Sequence, residues 1–513
     1  MLPKAIHSWT RAEAAHLMRR AGFGGSPNEI ERFHALGREA AVGQLLTAAD
    51  PPGAFPAPAW ADEHSHRRRE KERAGMRRQF QQTQREIDAT DDATAAKLAE
   101  NRRVFFRESR QEQMRNHAEM QRDWWHRMRT SRAPLREKVT LFWHDHFATS
   151  QQKVREPYFM REQNELFRRH AFGSFHELTR AIITDPAMMI FLDTQNSRRE
   201  RPNENFAREL FELFTLGEGN YSEEDVREAA RAFTGYRLNR VRGGVSHIPR
   251  QWDGGRKTIL GKTGNFKGED VVDLIFERPD PSRFIARKLW EFFADENPPE
   301  PAVDAMAETL RANDHRIGPL LREIFLSRQF YHPEVIGNQI KSPVQFLVQL
   351  LHELEITEPP PGFLHVAQQQ LGQVLFLPPN VAGWDHGKAW INTNTLLARY
   401  NLAGFIATGS EESARSLSAP GMRGGRGMEA RARRSARRWN GPDYESLVPR
   451  DQREDPVVIV DQLMQRFALE NAPPRARQAF IDFATAKHGI IFTNKEVGEL
   501  CHLMLSTPYY QLG

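Results

Sequence analysis

The 513-residue chain is 27% charged and 39% hydrophobic, with a net charge of +5, the balance of a folded globular protein large enough for one extended core or several. So small a net charge gives no electrostatic reason to expect nucleic acid as a partner. The only cysteine, Cys501, excludes an intramolecular disulfide and a cysteine-based zinc site, and no run approaches the ~20 apolar residues of a membrane helix.

Residues 1–61 begin without an apolar signal core. Arg19-Arg20 runs into Ala-Gly-Phe-Gly24 rather than an apolar stretch, so the cytoplasm is the default expectation. Ala14, Leu17 and Met18 have helical spacing, Gly22 to Gly25 breaks it and Pro27 restarts it. This reads as an N-terminal helical cap, followed by a loop from Asp50 to Pro58. Residues 62–131 are crowded with Arg, Glu, Gln and Lys, hold Gly75 as their single glycine and lack proline. They predict two long helices broken near Asp88–Asp92, standing off as a charged hairpin arm. Apolar positions there, such as Met76, Phe80, Leu98 and Phe105, are too sparse for a coiled-coil heptad.

From Pro134 the chain turns apolar. Spacing predicts a helical core over 132–407, with helices near 134–147, 157–171, 174–184, 202–216, 222–234, 268–277, 280–295, 302–313, 316–328, 341–355, 364–371 and 391–405. Glycine and β-branched residues over 237–265 predict a short β-hairpin. Residues 408–452 form a flexible Arg/Gly/Ser-rich insertion, and helices over 453–513 complete the core. The expected fold class is mainly α: one large multi-helical domain with a protruding arm.

Three segments concentrate chemistry. In Phe142-Trp-His-Asp-His-Phe147, His144 and His146 lie about 200° apart around a helix and cannot chelate one ion. Either could be a ligand or acid/base, or both could be hydrogen-bonded core histidines. Asp193 and Asn196 precede a helix on which Glu204, Asn205, Arg208, Glu209 and Glu212 share one arc, opposite the core face of Phe206, Ala207, Leu210 and Phe214. Such an arc can supply a raised-pKa acid beside an ionised base, or a carboxylate metal site, or be a solvated face. The loop Leu377 to Asn392 gathers Asn380, Trp384, Asp385, His386, Trp390 and Asn392. It suits substrate binding, with indole faces and amides available, and equally suits a loop pinned by buried tryptophans.

Ser222 and Asp225 read as a capping box that starts a structural helix, with Gly235 at its end. The Arg-rich stretch Arg423 to Arg438 has only Trp439 as an aromatic and no nucleic-acid fold motif, which favours a solvated linker over a phosphate track. No P-loop, H-E-x-x-H zinc motif or G-x-S-x-G elbow occurs.

The ordered motifs Ala15-His-Leu-Met-Arg-Arg-Ala-Gly-Phe-Gly24, Leu135-Arg-Glu-Lys138, Phe142-Trp-His-Asp-His-Phe147, Asp185-Pro-Ala-Met188, Asn203-Glu-Asn-Phe-Ala-Arg-Glu-Leu-Phe-Glu-Leu-Phe-Thr-Leu-Gly217, Ala229-Ala-Arg-Ala-Phe-Thr-Gly235, Lys257-Thr-Ile-Leu-Gly261, Lys341-Ser-Pro-Val344 and Pro378-Pro-Asn-Val-Ala-Gly-Trp384 resemble the bacterial domain of unknown function family 1800 over nearly the whole chain. The resemblance implies a single large helical domain. It also implies a sulfatase-like partner protein, with export as a passenger on that partner's twin-arginine signal as the alternative to the cytoplasm. Relatives tend to carry a His-Asp pair where this chain has Trp252-Asp253, so the resemblance gives that position no histidine chemistry here.

No established reaction comes with the resemblance. The residues favour a hydrolase acting on a polar polymer, a glycan or envelope component. Glu204 or Glu209 would be the acid/base carboxylate, with Arg208 and His144 completing the centre. Asn205, Asn196, Asn380, Trp384 and Asn392 would hold substrate. The cofactor is unassigned, and a divalent metal would draw on His146 and Asp193. The rival readings are a non-catalytic helical scaffold for the sulfatase-like protein and a His/carboxylate metal-binding protein.

Overall fold

Helix starts follow local chemistry. Thr10 with Glu13, Ser26 with Glu29, Ser222 with Asp225, Ser342 with Gln345 and Thr493 with Glu496 all close capping boxes, each satisfying backbone N–H groups that the first turn leaves unbonded. Proline stands in the first turn of the helices that begin at Pro27, Pro134, Pro157 and Pro343, where its missing N–H costs nothing. The computed structural model describes residues 1–87, 92–409, 439, 441–469, 472–487, 489 and 491–513. The described chain is mainly α, with two small two-stranded sheets. The expected hairpin region holds both: Tyr236–Asn239 pairs with Gly244–His247, and Lys257–Ile259 with Lys262–Gly264, each antiparallel. The Arg-rich stretch Arg423 to Arg438 and the break at 88–91 lie outside the described residues.

The charged helices Glu63–Ile87 and Asp92–Thr130 pack together, with the Phe80 and Phe105 rings 5.7 Å apart. Their base is fastened to the core. His66 stacks on Tyr158 at 4.2 Å and bonds the Arg240 carbonyl at 2.8 Å. Arg73 bridges Glu70, Glu112 and Glu156 at 2.9, 3.1 and 2.9 Å. The last turns of the second helix are core, since Met120, Trp124, Trp125 and Met128 are buried. The charge-rich composition does not show this, because one buried face every 3.6 residues leaves most positions polar.

Two large apolar clusters fill the described part of the molecule, beside a small third one of Ala14, Ala15 and Ile30. One runs from Leu2 to Val335; the other joins Met120–Met128 to residues between Val344 and Tyr510. The helix Pro134–His146 is shared by both. Leu135, Val139, Phe142 and Trp143 enter the first cluster and Leu141 the second. Its buried charges are all partnered. Glu137 accepts from Arg168 Nε at 2.6 Å, from Arg168 Nη2 at 2.9 Å and from Trp124 Nε1 at 3.0 Å. Lys138 Nζ donates to the Gly22 carbonyl at 2.9 Å and lies over the Phe23 ring. The C-terminus of this helix therefore ends at the seam between the two cores, the kind of junction where ligand sites form.

Candidate functional site

His144, Asp145 and His146 end the shared helix and point three ways. His144 faces the second core. It is buried, its Nε2 accepts the Phe376 N–H at 3.0 Å, and its ring packs on Trp124, Phe376 and Trp384. Burial pushes its pKa down to about 4, against the pull of the Asp145 charge. His146 faces the first core and donates through Nε2 to the Phe214 carbonyl at 3.0 Å. Burial and the Lys288 charge hold it well below the ordinary histidine range. Both rings are neutral. Because Nε2 of His146 carries the proton, its Nδ1 is a bare acceptor, without a partner among the described residues.

Asp145, which sequence reasoning passed over, occupies the seam. One carboxylate oxygen accepts the Trp384 N–H at 2.8 Å, and the other meets His386 Nε2 at 3.0 Å. Gly383 makes this approach possible. Its φ is +88°, and a Cβ there would overlap the Asp145 carboxylate and stand 2.6 Å from its carbonyl oxygen. Gly387, at φ +57°, likewise brings backbone against the Glu296 carboxylate. A cavity of about 250 Å³ opens here, lined by Asp145, His146, Lys288, Glu291, Glu296 and His386, with Phe142, Phe292 and Trp390 as apolar walls. Burial lowers the Lys288 pKa and raises that of Glu291. For His386, burial acts to lower the pKa. Its side chain is 60% exposed, however, and the Asp145 hydrogen bond and charge prevail, leaving it raised. Shifts of opposite sign gathered in one cleft make this the candidate site.

The loop that supplies His386 owes its shape to residues expected to bind substrate. Asn380 accepts the Ala382 N–H at 2.8 Å to close a tight turn. Trp384 is buried against His144. Asn392 caps the helix Thr393–Thr408, accepting from Asn394 and Thr395. Indole contact with the cavity comes from Trp390 instead.

Residues 204–212 do not line this cavity. The expected single helix over 202–216 is α over Glu204–Glu209 and π-wound over Leu210–Thr215, with the Leu216 and Gly217 N–H groups both reaching the Phe211 carbonyl. The π turn ends the regular arc and leaves the Phe214 carbonyl in a last turn, where His146 takes it. Arg208 makes a two-pronged bond to exposed Glu223 at 2.7 and 2.7 Å, with Glu204 3.9 Å away. Glu212 accepts from Tyr221 at 2.7 Å. Burial and Glu212 raise the Glu209 pKa. Asn205 and Asn196 are exposed.

The two residues named for a metal do not share surroundings. Asp193 is exposed and paired with Lys153 at 2.6 Å, while His146 is buried. Among the described residues, no group of three or more His, Cys, Asp or Glu is placed to hold a metal ion. Trp252 has the Lys257 and Lys267 ammonium groups 5.0 and 5.4 Å from its ring centroid, and Asp253 is held by Arg231 at 2.7 Å. No described helix is long and apolar enough to cross a membrane.

Comparison with curated proteins and with solved structures finds no match. One family model, described as Protein of unknown function (DUF1800), matches residues 16–512. With nearly its whole length covered, the chain belongs to that family.

Proposed function

We propose that the protein is a hydrolase of a polar polymer, a glycan or envelope component, with His386 as the general acid/base. The observation that carries this reading is the 3.0 Å Asp145–His386 contact at the edge of a cavity holding Lys288 and Glu291. Asp145 fixes the ring through Nε2, which leaves Nδ1 to exchange the proton. His386 takes a proton from the attacking water as the new C–O bond forms, Glu291, biased toward its neutral form, gives a proton to the oxygen of the bond that breaks, and Lys288 offers a positive charge to the negative charge growing on that oxygen. Trp390 and the two phenylalanine faces suit the apolar face of a sugar ring. His386 takes the acid/base role in preference to Glu204 or Glu209, whose helix lies outside the cavity.

The test is turnover of a panel of glycans and envelope polymers by wild type, His386→Gln and Asp145→Asn. Loss of about 10²–10⁴-fold in the His386 variant is expected. Asp145→Asn should also move the basic limb of the pH profile to lower pH, because the charge that favours imidazolium is gone. Full activity in His386→Gln would sink the assignment. No turnover by wild type, together with a stable complex with a sulfatase-like protein, would replace it with the scaffold reading. The partner and the compartment are part of this proposal and not of the fold.

A further inference from the structure

A second cavity, of about 770 Å³, lies between the N-terminal helix, the 328–341 segment and the C-terminal residues, and borders the Asp145 cavity through one stretch of chain: Lys341 lines this one, and Ile340 and Ser342 line the other. Its wall includes Lys341, the first residue of the Lys341-Ser-Pro-Val344 motif. Only 3% of Lys341 is exposed, yet its ammonium has no hydrogen-bond acceptor or ion-pair partner among the described residues. The ammonium lies over the Tyr510 ring, 3.7 Å from Nζ to the centroid. The nearby Glu353 is engaged elsewhere, accepting from Tyr510 Oη at 2.8 Å and Gln349 Nε2 at 2.6 Å. Burial of an ammonium without an acceptor is unfavourable, and it is relieved either by loss of the proton or by an anion in the cavity.

The rest of the wall agrees in sign. Among the described wall residues, Arg19 and Arg328 share the sign of Lys341, and the one carboxylate, Glu13, is already paired with Arg38 at 3.2 Å and His7 at 2.5 Å. Tyr331, Ile336, Phe467, Leu469, Tyr509 and Leu512 supply apolar surface. We propose that this cavity binds a small anionic amphiphile, with a carboxylate or phosphate head on Lys341 and an apolar body against the remaining wall. The main chain holds Lys341 in place for this: its N–H bonds the Gln511 carbonyl at 2.9 Å, and its carbonyl accepts from Arg399 at 2.8 Å.

The groups that face Lys341 predict a proton signature. Burial brings its pKa down to about 7, with Glu353 opposing and Arg19 and Arg399 adding to the lowering. A bound anion favours the ammonium. Affinity should therefore fall as pH rises above about 7, and complex formation at about pH 8 should take up a proton.

The experiment is calorimetry on the full chain with octanoate, octyl phosphate, octanol and octylamine, repeated in buffers of different ionisation enthalpy. One of the two anions should bind saturably, one per chain, at least about tenfold tighter than octanol or octylamine; which of the two binds tighter tells carboxylate from phosphate. Lys341→Met should lose about tenfold and the proton uptake, while Lys341→Arg keeps most of the affinity. If Lys341→Met does not fold, exposed Arg328→Gln serves as the second variant, with a weaker but measurable loss. Equal binding of octanol, unchanged binding in Lys341→Met, absent proton uptake in wild type, or no saturable binding by either anion would overturn the proposal. None of these outcomes depends on turnover at the Asp145 cavity.

Discussion

Glu137→Ala should lower the stability of the fold by about 3–5 kcal/mol, read as a shift in the denaturant midpoint with an unchanged slope. Glu137 is 1% exposed, and its two oxygens receive the Arg168 fork and the Trp124 indole N–H. Removing the carboxylate strands a guanidinium that is itself 8% exposed and whose pKa these bonds hold raised. Asn164 at 2.8 Å and Glu165 at 3.1 Å remain, but neither replaces a buried two-pronged carboxylate. The converse change separates loss of the pair from loss of shape. Glu137→Met with Arg168→Met should recover most of the stability, because both desolvation costs vanish together. A single variant as stable as wild type would mean that the pair contributes nothing to the shared helix.

Gly383→Ala should damage the Asp145 seam more than any conservative change at the cavity itself. The residue sits at φ +88°, where an L side chain costs about 1–2 kcal/mol, and its Cβ would overlap the Asp145 carboxylate, adding about 1–3 kcal/mol of overpacking. The loop must move, and the Trp384 N–H and His386 bonds to Asp145 move with it. The His386 pKa should then fall toward its ordinary value, as followed by NMR titration of the ring protons, because the carboxylate that raises it has been displaced. On any substrate the wild type hydrolyses, a displacement of about 1 Å should cost on the order of 100-fold in rate. An unshifted titration curve and an unchanged midpoint would show that Asp145 does not depend on this glycine.

Much of the helical framework was legible because its causes are local. Pro134, Ser222 with Asp225, and the 3.6-residue spacing of Val226, Ala229 and Ala230 are short-range signals, and the structure starts and buries those helices accordingly. The opposed faces of His144 and His146 were legible for the same reason, since two positions on a regular helix have a fixed angle between them. The polar arc of Glu204, Arg208 and Glu209 was legible as an arc but not as a role. A solvated face and an active-site face have the same period, and only the neighbours separate them.

The sequence by itself determined a mainly helical chain, its family, most helix spans and the irregular loop over 377–392. Tertiary structure alone decided which polar groups meet. Asp145 and Trp384 are 239 residues apart in the chain, and Lys288 and Glu291 reach the same cavity from a third helix whose pattern announces only an amphipathic surface. Such meetings depend on how two apolar clusters close around one shared helix. Periodicity reports which face of each helix is buried, and it carries no information about which buried faces will be neighbours.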